Sequence, residues 1–297
     1  MSNILLGGAI GDALGVFAES KLPDYEPLLS WDGKTYIGSE YHNLKPGQYS
    51  DDTMLSICVA ESLIENNGFN PEDLSKRYVN LFTSNTIRGY GRTTLTAIQN
   101  LINGVHWSKS GVPDSYGNGT FMRASAFGIY FRHDIKSIIE SATIDAKITH
   151  ASNEAIAGSL AISIASALIA NNESDSLLLK ISGFLPSSKV KESIKNLEVL
   201  IKDDTLNPSD VIKKLGTRSD VRQSAPSVFY CYFKYNNYLE AAQTIIRCAG
   251  DTDTNCSALC NLYGAKYGKS HFLDYHIKNI ENSDNLINLD YQIYNKH

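Results

Sequence analysis

Residues 155–170 are the longest apolar stretch in the chain, and within it Ile156, Leu160, Ile164 and Leu168 recur every four residues. That spacing places them along one side of a helix. Ser159, Ser163, Ser166 and a run of alanines occupy the other sides, which predicts a helix packed closely against neighbours. The stretch is too short and too rich in hydroxyls for a membrane span. The same period continues elsewhere. Met54, Leu55, Cys58, Val59, Leu63 and Ile64 mark a second helix, stopped by Asn66, Asn67 and Gly68. Pro71 opens a third through Leu74, Tyr78 and Leu81, and residues 239–249 and 255–267 read as two more. Strand signals are confined to Tyr36 with Ile37 and to residues 227–230, both too short to decide. The expectation is an all-α fold with long functional loops at the helix ends. Residues 171–223 are more polar, but residues 191–201 keep helical spacing, so the chain is read as one domain over 1–297.

The net charge of −5 argues against a nucleic-acid or anionic-membrane partner. Cys58, Cys231, Cys248, Cys256 and Cys260 lack the paired spacing of a zinc site. They read as reduced and buried, hence a cytoplasmic chain. Residues 1–14 are apolar but have no basic lead, and Asp12 interrupts them, which argues against a signal peptide. A monomer is the default expectation.

Two acidic clusters stand out. Ser50, Asp51, Asp52 and Thr53 precede one apolar helix; Gly250, Asp251, Thr252, Asp253, Thr254 and Asn255 precede a small-residue helix. Such residues are good helix caps, and acids suit the positive end of a helix. One cap needs only one of them, however, and adjacent acids repel. The other reading is a hard-cation site, because magnesium takes carboxylate oxygens. Four carboxylates with the hydroxyls of Ser50 and Thr254 could hold two ions that clamp neighbouring substrate oxygens.

Three further segments carry weaker signals. Gly7, Gly8, Gly11, Asp12 and Gly15, followed by Glu19, fit close helix–helix approach and do not match a dinucleotide fingerprint. Gly117, Asn118 and Gly119, ahead of Met122 and Arg123, mark a tight turn whose free amides could bind phosphate. Gly89, Tyr90 and Gly91, running on to Thr94, form a similar loop that could bring amides and a ring to a ligand. His150, at the start of the long helix, is either satisfied locally or placed to contact a diphosphate.

In this order the motifs resemble the ADP-ribosylglycohydrolase family, the group that includes dinitrogenase reductase-activating glycohydrolase. The resemblance runs from residue 4 to about residue 268. It implies a compact multi-helix domain with a binuclear metal cleft, holding two Mg2+ ions, with Mn2+ also acceptable. Ser50, Asp51, Asp52, Asp251, Asp253 and Thr254 would be the ligands; many members have threonine at the position of Ser50, and serine keeps the hydroxyl. Asp52, Asp253 or Glu19 would act in catalysis. Gly117, Asn118, Gly119, Met122 and His150 would line the ADP-ribose pocket, and Gly89, Tyr90 and Gly91 an adjoining loop. The implied activity is hydrolysis of ADP-ribose from a modified protein side chain, with arginine as the leading linkage. The rivals are a silent ADP-ribose-binding or immunity protein of the same fold and a two-metal phosphohydrolase. A structural calcium site ranks below them, because no segment has the alternating acids of a calcium loop.

Overall fold

The computed structural model describes residues 1–23 and 25–296. Helix α1 (Ile4–Gly15) is followed by α2 (Glu26–Ser30), α3 (Asp51–Glu65), α4 (Pro71–Thr83), α5 (Arg92–Ile102) and α6 (Trp107–Ser110). Helices α7 (Ser125–Tyr130) and α8 (Ile135–Thr149) lead into α9 (Asn153–Ala170). Then come α10 (Leu177–Phe184), α11 (Lys189–Lys202), α12 (Pro208–Leu215), α13 (Val221–Lys234) and α14 (Tyr238–Arg247). Helices α15 (Thr252–Tyr267), α16 (Asp274–Asn279) and α17 (Ser283–Tyr294) complete the chain. Among the described residues, strand-like pairing is limited to two isolated bridges, Ser39 with Leu44 and Val112 with His150. The fold is all-α. Residues 227–230, undecided by pattern, lie inside α13, which also accommodates Pro226.

The helix starts follow from their caps. Asn70 accepts hydrogen bonds from the Glu72 and Asp73 amides and Pro71 takes the first helical position, so α4 begins where the sequence predicts. Helix α3 begins earlier than its apolar pattern, at Asp51, which puts both acids of the first cluster inside its first turn. Helix α9 is central. Every residue from Ala155 to Ile169 is buried, and 83% of its length lies inside the fold, as expected of a core helix that is also apolar enough to pass for a span. Its small residues admit close neighbours: the Ser159 and Ser163 hydroxyls donate to the Ala142 and Ala124 carbonyls at 3.1 and 2.8 Å. Helices α10 to α12, which cover most of the polar stretch, pack on α9, α13 and α14.

The closest seam joins α1 to α15, which run antiparallel. A Cβ on Gly7, Gly11 or Gly15 would lie 2.4, 2.1 or 2.2 Å from the carbonyl oxygens of Cys260, Cys256 and Thr252, and one on Gly264 would lie 2.1 Å from that of Asn3. Gly7, Gly11 and Gly15 repeat at one helical turn, so the two backbones touch along their length. The Thr252 hydroxyl donates to the Gly15 carbonyl at 2.8 Å and locks the end of the seam where the acids lie. The Gly11→Ala variant should therefore lose roughly 1–3 kcal/mol of stability in urea unfolding. Gly183→Ala, in α10 with open space around its Cβ position, should be neutral or stabilising by up to about 1 kcal/mol. Equal effects at the two sites would remove the seam as a packing constraint.

Candidate functional site

The seam sets the end of α1 beside the start of α15, and α3 starts at the same point. Asp12, buried on α1, organises the junction. Its carboxylate accepts from the Ser50 amide at 2.9 Å, the Thr53 amide at 3.2 Å and the Thr53 hydroxyl at 2.7 Å. It thereby fixes the first turn of α3 against α1. The second cluster is aimed by backbone strain. Ala249 and Gly250 both take positive φ, 58° and 90°, an unusual conformation for alanine. A Cβ on Gly250 would meet the Thr217 hydroxyl at 2.5 Å, while the Asp251 amide donates to the Thr217 carbonyl at 2.8 Å.

The result is a cluster of buried carboxylates. Single oxygens of Asp12, Asp52 and Asp253 lie within 4.8 Å of one another. Burial and then neighbouring acids push Asp51, Asp52 and Asp253 well above the usual carboxylate range. Burial lifts Asp12 to about 6 despite its hydrogen bonds. Capping accounts for little of this. Ser50 is the N-cap of α3 and its hydroxyl donates to Asp52 Oδ2 at 2.8 Å. Asp251 is the N-cap of α15 but makes no capping bond with its side chain; it accepts from Asn118 Nδ2 at 2.9 Å instead. Asp52 Oδ1 is buried with no hydrogen-bond partner. A cluster of mutually repelling carboxylates with an unpartnered buried oxygen is a donor set that suits hard divalent cations.

Asp51, Asp52, Asp251 and Asp253, but not Asp12, face a polar cleft of about 240 Å³. Its walls bring together Glu19, Asp51, Asp52, Asp251, Asp253 and Thr254 with Gly89, Gly91, Gly117, Asn118, Gly119, Met122 and His150. Ser50 is fully buried behind Asp52 and is not part of the wall. Tyr90 points elsewhere: its exposed ring lies 5.0 Å from that of Phe82, over a separate hollow lined by Leu95, Ile98 and Ile102. Arg92, Thr93 and Thr94 continue the glycine loop along the cleft. Asp12, His42 and Ser219 are absent from the sequence-based set. Ser219 lines the cleft, and His42 Nε2 hydrogen-bonds Glu19 Oε2 while both lie near Asp253. The signal for Asp12 is a charged residue inside an apolar small-residue helix. For His42 and Ser219 the sequence offers no comparable signal.

The glycine turn is built around His150. A Cβ on Gly117 would sit 2.9 Å from its Nε2, and one on Gly119 2.8 Å from its Cε1. Larger residues would displace the ring. Burial, reinforced by the Arg123 charge, lowers His150 to about 3, so it is neutral at physiological pH.

With this geometry established, comparison with known proteins is decisive. The profile of the ADP-ribosylglycohydrolase family matches residues 2–297. The chain belongs to that family. Membership makes the chain an ADP-ribosyl hydrolase. It is 30% identical to an uncharacterized protein of Archaeoglobus fulgidus, over 89% of this chain and 86% of the relative. It is 26% identical to ADP-ribosylhydrolase ARH3 of Gallus gallus, over 89% and 84%. It is 24% identical to ADP-ribosylarginine hydrolase Tri1 of Pseudomonas putida, over 90% and 70%. A solved chain described as an ADP-ribosylglycohydrolase-related protein complex shares the fold, with a TM-score of 0.81 and 20% identity over 98% and 95% of the two chains.

The pH dependence of stability tests the state of His150. Its folded pKa lies below the unfolded value of 6.5, so the unfolded chain alone takes up this proton as pH falls from about 7. The stability of the native chain relative to His150→Gln should therefore decline by about 2 kcal/mol between pH 7 and pH 5 in paired urea titrations. A difference that stays constant with pH would show that the folded ring accepts a proton.

Proposed function

We propose that the chain hydrolyses the glycosidic bond between ADP-ribose and a modified protein side chain, with arginine as the linkage, using two divalent cations. Magnesium is the first choice and manganese fits the same oxygen set. The observation that carries this reading is the convergence of two acidic helix starts, with Asp52 Oδ1 unpartnered, on a cleft walled by glycine loops. Family membership supports the substrate class, and the similarity to an ADP-ribosylarginine hydrolase supports the linkage. Five free, buried cysteines fit a reducing, cytoplasmic setting.

Asp51, Asp52, Asp251, Asp253 and the Thr254 hydroxyl would hold the cations, with Ser50 orienting Asp52 through its 2.8 Å hydrogen bond. When bound, the cations supply Lewis-acid charge and a chelating grip on vicinal sugar hydroxyls. The protein groups do the rest. The glycine turns at residues 117–119 and 89–91 would offer backbone amides to phosphate oxygens, except that of Gly117, which donates to Ser115 Oγ at 3.2 Å, and a side chain at Gly117 or Gly119 would collide with His150. Asn118 ties this pocket to the acidic cluster through Asp251, so the sugar is placed relative to the carboxylates, which is where positioning contributes to rate. As the anomeric carbon develops oxocarbenium character and its bond to the leaving guanidine nitrogen breaks, Asp52, Asp253 or Glu19 takes the proton of the attacking water and a protonated carboxyl of the same cluster gives a proton to the leaving nitrogen. Glu19 lies at the cleft edge, held by His42.

The test uses arginine-ADP-ribosylated protein with magnesium, comparing the native chain with the Asp51→Ala, Asp253→Ala double variant. The native chain should release free ADP-ribose, detected by mass spectrometry. The variant should be slower by about 10²–10⁴-fold, and a chelator should stop the native reaction. Release of inorganic phosphate instead would make the chain a phosphohydrolase. Tight ADP-ribose binding without release from arginine- or serine-linked substrate would make it a binding protein.

A further inference from the structure

We propose that Arg123, acting through Thr149, fixes His150 as the tautomer protonated on Nε2, so that the ring presents a neutral hydrogen-bond donor to an anionic oxygen of the ligand. The ligand class, a diphosphate-bearing ADP-ribosyl group, rests on the function proposed above; the relay itself rests on geometry alone. Arg123 and Thr149 are both completely buried and His150 is 2% exposed. Arg123 Nη2 donates to Thr149 Oγ1 at 2.9 Å, and Thr149 Oγ1 lies 2.8 Å from His150 Nδ1. A guanidinium has donors only. Thr149 Oγ1 therefore accepts from Arg123 and keeps one proton to give.

Two arrangements of that proton are conceivable. If Nδ1 carried a hydrogen, the Thr149 oxygen would accept twice and its own proton would have no acceptor among the described hydrogen bonds. Leaving a buried donor unmet costs about 1–3 kcal/mol. If Nδ1 is bare, the hydroxyl donates to it and the only hydrogen without a protein acceptor is that on Nε2, which opens to the cleft. The second arrangement puts the ring hydrogen on Nε2, which faces Gly117 and the cleft and has no protein partner among the described residues. The same arginine pairs with Asp145 through Nε at 3.0 Å and donates from Nη1 to the Gly119 carbonyl at 3.0 Å. One buried cation thus sets both the tautomer of His150 and the turn that packs against its ring. Arg123 and Thr149 are positioning residues in this scheme.

Arg123 is too deeply buried for a clean deletion, so Thr149→Val is the informative variant and Thr149→Ser its rescue. Nitrogen-15 spectra of the histidine rings in the full chain should show His150 with Nδ1 unprotonated and Nε2 protonated. Thr149→Val should move both nitrogens toward a tautomer average and weaken ADP-ribose binding about 3- to 10-fold. Thr149→Ser should restore both readings. A protonated Nδ1 in the native chain, or nitrogen shifts indifferent to Thr149→Val, would overturn the relay. Native nitrogen shifts that respond as expected in a chain that does not bind ADP-ribose would uphold the relay and remove the substrate reading instead.

Discussion

Charge repulsion between buried carboxylates is the interaction around which this protein is built. Asp12, Asp51, Asp52, Asp251 and Asp253 are each no more than 7% exposed, and removing an ionised group from water costs several kcal/mol even after relaxation. The helix starts beneath them contribute about 0.3–1 kcal/mol per charge, at most about 2. That falls short of the cost by a wide margin. Among the described residues none of these five aspartates is in an ion pair with a lysine or arginine, so packing holds them together. The glycine seam between α1 and α15 keeps Asp12 beside Asp251 and Asp253, and the hydrogen bonds of Asp12 to Ser50 and Thr53 hold Asp51 and Asp52 of α3 against them.

Asp12 differs from the other acids. Its oxygens are occupied by the Ser50 amide and by the Thr53 amide and hydroxyl, whereas Asp52 keeps one oxygen without a partner. One buried acid therefore fastens helices together and another keeps an oxygen that no hydrogen bond occupies. The distinction lies in hydrogen-bond donors brought by α3, and nothing at the level of residue type separates the two.

That difference explains which parts of the molecule are legible in the sequence. Helices α3, α4, α9, α14 and α15 can be read because their apolar residues recur at the helical period and, in all but α15, a local side chain caps the start. The acidic pairs can be read because each lies within a few residues of chain. Asp12 as a clamp, His42 against Glu19 and Asn118 bridging to Asp251 join residues far apart in sequence, and no local pattern encodes such contacts. Tyr90 shows the opposite limit. Its neighbours Gly89 and Gly91 reach the cleft, yet the aromatic ring is drawn away by Phe82 on the preceding helix. Residues 227–230 read ambiguously because aromatic and β-branched residues fit either a strand or a buried helix; burial on all sides within α13 decides for the helix.

The same reasoning assigns complementary work to the two halves of the cleft. The acidic half is defined by groups that accept hydrogen bonds or bind cations. The opposite half, from Gly117 to Met122 with His150, carries the glycine turn and the neutral imidazole, while both hydrogens of the Asn118 side-chain amide are given to Ser224 and Asp251. A ligand with vicinal hydroxyls at one end and phosphate oxygens a few bonds away would find oxygen ligands, or cations bound to them, at its sugar and donors at its phosphates. Asn118 belongs to both halves, since its Nδ2 donates to Asp251 at 2.9 Å from within the glycine turn. A shift of that turn would therefore move a carboxylate of the second cluster, so the two halves are fixed relative to each other by one buried amide in addition to the fold as a whole.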